Sequence, residues 1–425
     1  MRTSLLALAL VCVALHVAWA EPADPPVASE ELTTDRDAAL DPDTGYRWHL
    51  PRKRAWHLHH DALAPDDSDW KPLAASARAA KERLRKGRIV LDIDVALYDQ
   101  YASETTSGQQ NLGTFTWQAI GDLQLVQHDR LGTSYFHWNF LGSPGLNYDT
   151  GNRTLSGNVG SISGLNGNVY PDPAALDELL WKQVSPDGRF VLLAGRVDHA
   201  FDFDTNSVAN DAYRQFFAFA LENNLSIPWP AYGGLGAVVR VNLSPDLYVM
   251  AGAGDSGTDE PWAFWKSLDE GSWYQLVELG VTQSIPRLGT GQYRFIPWHN
   301  HLAGEDGWGI GLSADQELGL DRLVAFLRLG VGDNDVTPVE RFVSSGLAFE
   351  SPFGRSNDSV GVGVAWSDPS PGVGSRDETL LEFFYRVGLS PSIALTPDLQ
   401  LVLDPANNAR EDIIAIGGVR LHIRF

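Results

Sequence analysis

Cysteine is all but missing from this chain. The single one, Cys12, lies inside an apolar leader, so the remainder offers no disulfide framework, thiol nucleophile or cysteine metal site. Methionine is also rare, at two residues. Basic residues run short: 32 Lys and Arg stand against 54 Asp and Glu, a net charge of −22. A chain so acidic repels polyanions, which argues against nucleic acid as a partner. After the leader no unbroken apolar stretch of about eighteen residues occurs, so no transmembrane helix is expected. A membrane β-barrel stays open, because alternating strands average to near-neutral hydropathy, and the mean hydropathy here is −0.17. What is abundant is glycine (41) and tryptophan (14).

The leader "MRTSLLALALVCVALHVAWA" carries one early charge at Arg2, an apolar run from Leu5 to Val17, and a small-x-small end, Ala18-Trp19-Ala20. It reads as a signal peptide, residues 1–20, and implies export. Residues 21–87 form an N-terminal extension. Its first part is rich in Pro, Asp, Glu and Ala without a sustained period, and its end, "KPLAASARAAKERLRKGR", is alanine-rich and basic and predicts a short helix.

From residue 88 to 425 strand patterns recur. "IVLDIDVALY" sets Ile89, Leu91, Ile93, Val95 and Leu97 against Asp92, Asp94 and Tyr98. "LGTSYFHWNFL" sets Phe136, Trp138 and Phe140 against Tyr135, His137 and Asn139. The chain closes on "IIAIGGVRLHIRF", with Val419, Leu421, Ile423 and Phe425 opposite Arg420, His422 and Arg424. Period-two alternation gives one apolar and one polar face. About sixteen or seventeen such segments, each of roughly ten residues, have the length that crosses a bilayer when tilted. Tight turns on Pro, Asp and Gly alternate with longer polar stretches at 142–173, 198–233 and 255–271. The pattern predicts an all-β fold, a transmembrane antiparallel barrel of about 16 strands, with apolar side chains facing lipid and polar ones facing water. A soluble sandwich or propeller would also give many short strands.

Several stretches resemble a known family. "NNLSIPWPAYGGLGAVVRVNLSPDLYVMAGAGDS", "AFLRLGVGDND", "LLWKQVSPDGRFVLLAGRVD" and the long C-terminal "TLLEFFYRVGLSPSIALTPDLQLVLDPANNAREDIIAIGGVRLHIRF" are similar to the carbohydrate-selective, OprB-type porins. The similarity runs from about Leu176 to Phe425 and more loosely back to Gly87. It implies an outer-membrane barrel, monomeric or a weak homo-oligomer, that passes small sugars such as glucose down their gradient. It also implies that the strand ending in Phe425 is the signal read by the barrel-assembly machinery. The "GDWGG"-like element that often precedes the first strand in this family is reduced here to Asp69-Trp70.

A sugar pore needs weak, reversible hydrogen bonding at a constriction rather than catalysis or a cofactor. Arginine suits that role through its planar array of donors, and a facing carboxylate can hold it in place. With apolar sets facing lipid, the constriction candidates are Arg196, Asp198, Arg240, Arg328, Glu382, Arg386 and Arg420. Arg322, Arg424, Asp94 and Asp122 are further expected on the lumen side. Bracing of the wall is the alternative role for all of them. The 198–233 stretch is expected to fold inward and narrow the pore. Trp229, Tyr232, Tyr293, Trp298 and Trp308 are read as an interfacial girdle rather than a sugar-stacking platform.

Other motifs carry less. "HLHHD" at 57–61 offers metal-ligand chemistry but sits in an unpatterned segment. "DNDV" at 333–336 lacks the remaining ligands of a calcium loop. "GDSG" at 254–257 lacks a histidine context for a serine nucleophile. No metal site and no enzyme activity are expected. A barrel enzyme acting on lipid and a secreted carbohydrate-binding β protein are the alternatives to a channel.

Overall fold

The computed structural model describes residues 71–425 apart from 147–154, 257–259, 321, 356 and 391. The leader, "HLHHD" and Asp69-Trp70 lie outside the described residues. The first described element is helix α1, Lys71–Lys86, with Arg83, Arg85 and Lys86 in its last turn, where the helix dipole favours positive charge. Sixteen strands follow. They are β1 (Ile89–Ala102), β2 (Asn111–His128), β3 (Gly132–Gly142), β4 (Ala175–Val184), β5 (Phe190–Val197), β6 (Gly234–Ser244), β7 (Leu247–Asp255) and β8 (Trp273–Ile285). The second half comprises β9 (Gly289–Leu302), β10 (Glu305–Glu317), β11 (Leu323–Gly332), β12 (Val339–Glu350), β13 (Ser359–Pro369), β14 (Glu378–Ser390), β15 (Ile393–Leu403) and β16 (Ile413–Arg424).

Each strand pairs antiparallel with its sequence neighbours, and β1 pairs with β16, with Asp94 opposite Arg424 and Ala102 opposite Ile416, so the sheet closes. Closure leaves no strand edge unpaired, which is what a sheet in lipid requires. The faces follow the alternation. On β16, Arg420, His422 and Arg424 are buried inside, while Val419 stands exposed outside. Leu97, Leu279, Phe295, Leu327, Leu347, Leu395 and Leu399 are exposed on the same outer surface. The connections at one end are short, such as 245–246 and 286–288, and the long ones, 143–174, 198–233 and 256–272, share the other end.

The interior is not uniformly polar. The two largest apolar clusters among the described residues bring the inserts against the wall. One brings Phe216, Leu221 and Leu225 of the 198–233 connection, with Leu155, Val159 and Leu165 of the 143–174 connection, against Phe326, Phe342, Leu380, Phe384 and Ile414 of the wall. The other packs Phe203 and Ile227 on Val191, Leu193, Val238, Leu276 and Ile296. Many inward positions are therefore apolar because a folded segment, not water, lies against them. Phe216, Phe217, Leu221 and Ile227 are almost wholly buried, each worth about 1.5–3 kcal/mol. This burial ties the segment to the wall and offsets part of the entropy of ordering it.

This packing corrects the girdle expectation for Trp229, Tyr232 and Trp298, whereas Tyr293 and Trp308 lie on the outer face. Trp298 faces inward and is buried; its ring occupies a notch where a Cβ on Gly309 or Gly332 would come within 2.3 or 2.6 Å of it. Tyr232 is buried, with its hydroxyl on Asp172 at 3.1 Å, and Trp229 packs on the second cluster with its indole N–H on the Asn224 carbonyl. Trp308 stands exposed on the outer face, together with Trp181 and Trp273. Arg322, expected in the lumen, lies instead in the turn before β11 with φ 67°.

Candidate pore constriction

The 198–233 segment is held by charged side chains that reach inward from the wall. Arg328, on β11, is fully buried. Its Nε donates to both carboxylate oxygens of Asp204 at 3.1 and 3.0 Å, and its terminal nitrogens donate to the carbonyls of Leu221 (2.8 Å), Asp204 (3.0 Å) and Ala209 (2.8 Å). Asp204 adopts φ 55°, a left-handed backbone uncommon outside glycine, and the Glu278 carboxylate accepts from its amide at 2.9 Å. Three strands along the wall, on β14, Glu382 accepts from the amides of Phe217 and Ala218, the latter at 3.0 Å. Arg420 donates to the carbonyls of Ala212 and Gln215, and its guanidinium lies 4.5 Å from the Phe217 ring. Glu378 fixes the 143–174 connection in the same manner, accepting from Ser161 Oγ (2.6 Å), Ile162 N (3.2 Å) and Ser163 N (3.1 Å). These charge-assisted bonds bridge wall to insert across more than 100 residues of chain.

Beside the inserts lies a cavity of ≈ 100 Å³, between the β2 wall at Gln118, residues 167–170 and the 198–223 stretch. Its lining carries three carboxylates, Asp198, Asp211 and Glu222, with amides and hydroxyls from Asn206, Ser207 and Asn210 among others, and no lysine or arginine. Both polar atoms of the Asn210 side chain, and Ser207 Oγ, are buried without a hydrogen-bond partner. Such groups are costly to leave unmatched. Beside the cavity, Arg214 stands 3.8 Å from Asp211. Burial, and next the like charge of Arg424, push the Arg214 pKa down from its ordinary value.

The candidates from sequence divide into groups. Asp198 lines the cavity, where its Oδ1 also caps the 199–201 turn by accepting from Ala200 N at 2.9 Å. Arg328, Glu382 and Arg420 point inward and converge on the insert, as just described. Arg386 also points inward, donating to the Asn357 carbonyl at 2.6 Å near the short-turn end. Arg240 lies on the far wall, its guanidinium 3.7 Å from the Tyr248 ring and its Nε on Asn242 Oδ1. Asp94 and Arg424 face inward as well, with Asp94 on His422 at 2.7 Å, and Asp122 pairs with His137 at 2.9 Å.

Arg196 departs from its expected place. Its cross-strand partner is Leu235, which is exposed on the outer face, so Arg196 belongs to that face. There it is covered by the 260–264 segment, donating from Nε to the Asp177 carbonyl at 3.2 Å and lying 5.5 Å from the Phe264 ring. The cause is local. β5 is apolar on both faces, since Val191 and Leu193 pack on the insert, and alternation could not assign its faces. Sequence reasoning also missed Glu278 and Glu378, although both stand in visible strand patterns, "QLVELG" and "ETLLEF". Asn210 and Ser207 carried no signal, because irregular segments have no period to read.

A closed barrel of sixteen antiparallel strands, with long connections folded inward from one end, has the architecture of an outer-membrane porin. Comparison with known proteins agrees. The family model for the carbohydrate-selective porin, OprB family, matches residues 130–302 and 299–425. The chain is 25% identical over 327 residues to Porin AaxA of Chlamydia abortus, covering 67% of this chain and 69% of that protein. It is 27% identical over 260 residues to Porin AaxA of Chlamydia pneumoniae, covering 58% of each. Among solved structures, the high-pH structure of Pseudomonas putida OprB superposes with a TM-score of 0.64 at 18% identity, covering 81% of this chain and 96% of that one. The chain belongs to the carbohydrate-selective porin, OprB family, and is an outer-membrane porin. In such barrels the short turns face the periplasm and the long connections the outside.

Proposed function

We propose that the barrel passes small carbohydrates, glucose and related sugars, by passive diffusion. The observation that carries this reading is the cavity beside the 198–233 insert, where Asn210 and Ser207 present buried polar atoms without partners. A pyranose crossing there exchanges part of its hydration for hydrogen bonds from amides and to carboxylates. Release stays fast because each such bond is weak and replaces one to water. Arginine enters the constriction chiefly as its frame: Arg328 and Arg420 hold the insert, and Arg386 lies beneath. We further propose that residues 1–20 direct export, that residues 21–87 extend into the periplasm, that Phe425 contributes to recognition by the barrel-assembly machinery, and that the protein works as a monomer or weak homo-oligomer.

Purified protein in a planar bilayer should give discrete ohmic conductance steps, and proteoliposomes should swell in isosmotic glucose faster than protein-free ones. Conductance without any sugar-dependent swelling would leave the protein a porin but reject carbohydrate as its cargo.

A further inference from the structure

At the short-turn end of the barrel, arginine recurs in a backbone conformation that does not suit it. Arg88, between α1 and β1, has φ 63°; Arg287, between β8 and β9, has φ 72°; Arg322, before β11, has φ 67°. The Leu288 amide donates to the Ile285 carbonyl at 3.1 Å, and the Leu323 amide to the Leu320 carbonyl at 3.2 Å. Arg287 and Arg322 each therefore hold the third position of a four-residue turn. At positive φ that position suits glycine or asparagine. Arg88 follows Gly87 at the C-terminus of α1, where the same two residues are favoured. Strain of this kind at a surface points to a use for the side chain. All three side chains are exposed, and none forms a hydrogen bond or ion pair among the described residues. Arg130, in the β2–β3 turn, is exposed and unpaired as well. By contrast Arg355, at the same end, is bonded to Asp358 at 2.6 Å.

A second, independent feature sets what these side chains face. Large apolar residues stand exposed in the same turns: Leu131 is 69% exposed, Leu288 39% and Leu320 65%. The strands that these turns join carry their outer faces against lipid, so the turns lie level with the headgroups of the periplasmic leaflet. There an apolar side chain reaches the acyl boundary while a neighbouring guanidinium reaches a phosphate. Carboxylates are present at this end, since Asp129 and Asp321 precede Arg130 and Arg322. The 286–288 turn and the Gly87–Arg88 step have none, and α1 adds the exposed Arg83 and Lys86 beside Arg88 against Glu82.

We propose that the periplasmic rim is a binding surface for anionic phospholipid headgroups. Arg88, Arg287 and Arg322 take the phosphates, and Leu131, Leu288 and Leu320 seat in the acyl boundary. Arginine suits phosphate because its planar fork donates two parallel bonds. The partner is a lipid rather than a soluble phosphate, because only an acyl phase rewards the exposed leucines. The proposal depends on the orientation of the barrel and is independent of which solute crosses the lumen.

Native mass spectrometry of the detergent-purified protein, titrated with phosphatidylglycerol or with phosphatidylcholine of the same chains, tests this. Phosphatidylglycerol should bind more tightly, by about fivefold for each arginine engaged. Arg88→Asn with Arg287→Asn should remove most of that preference. Arg410→Asn, at an exposed position of the 404–412 connection at the opposite end, should leave it intact. Asparagine accepts left-handed backbone more readily than arginine, so the double variant should unfold in neutral detergent no earlier than the unaltered protein. Equal binding of the two lipids, or a preference unchanged in the double variant, would overturn the proposal. A double variant that unfolds earlier in neutral detergent would overturn it too, by giving the arginines to the fold. Displacement of phosphatidylglycerol by millimolar glycerol phosphate would assign the surface to a soluble phosphate instead.

Discussion

At the scale of single residues, the buried charges of the lumen act as fasteners. Arg328 shows why a salt bridge here differs from one on a surface: it is wholly buried and all its bonds reach the insert. Removing one partner leaves Asp204 buried and uncompensated, a loss of about 3–5 kcal/mol. We expect Arg328→Ala to lower the unfolding temperature and to raise single-channel conductance, since the insert loses its hold on β11. A double variant with Asp204→Asn should recover part of the stability but none of the narrowing, because the carbonyls of Leu221 and Ala209 still lack a donor. Unchanged conductance in both variants would mean that the apolar packing alone positions the insert. This role was only half legible in the sequence. Alternation placed Arg328, Glu382 and Arg420 inside, because each alternates with outward aliphatic or aromatic residues. It could not say what they would meet, since their partners are backbone groups of an irregular segment. Arg196 was misplaced for the complementary reason, a strand apolar on both faces.

At the scale of elements, strands were readable and connections were not. The closed order of strands follows from short turns between antiparallel neighbours, and the outer face follows from lipid contact. The inward apolar positions such as Val191, Phe326 and Ile414 blur the pattern because the inserts bury them. Among the turns, 351–358 has its own charge-based fastening. Burial disfavours ionisation of Asp358, but the Arg355 guanidinium at 2.6 Å, the Gly388 amide at 2.9 Å and the Tyr385 hydroxyl at 2.9 Å outweigh it and hold the carboxyl below its usual range. A lowered carboxylate pKa contributes stability above the unfolded value near 3.9, and that contribution is lost as pH falls through the folded value. Asp358→Asn should therefore destabilise the β12–β13 turn by about 1–2 kcal/mol at neutral pH, and by nothing measurable once the native carboxyl is also protonated. Thermal unfolding of both proteins across pH 2–7 reads this out, and a penalty that persists at the acid end would assign the effect to shape rather than charge.

At the scale of the whole molecule, the barrel exists only when its first and last strands meet, so the β1–β16 seam is the step that completes it. Phe425 sits at that seam. Its amide donates to the Ile93 carbonyl at 2.9 Å and its carbonyl accepts from the Ile93 amide at 3.1 Å, beside the Asp94–Arg424 register pair. The proposed recognition of the Phe425 ring during assembly can therefore be separated from the backbone's part in the seam. Deleting Phe425 removes both, whereas Phe425→Asp keeps the two backbone bonds and removes the ring. If recognition of the ring dominates, both variants should fail to reach the outer membrane, losing the heat-modifiable mobility of a closed barrel. If the backbone seam dominates, the aspartate variant should assemble like the unaltered protein while the deletion is impaired. Proteins that assemble and conduct normally in both forms would show that the remaining register, from Val95–Ile423 to Ala102–Ile416, closes the barrel without its last residue.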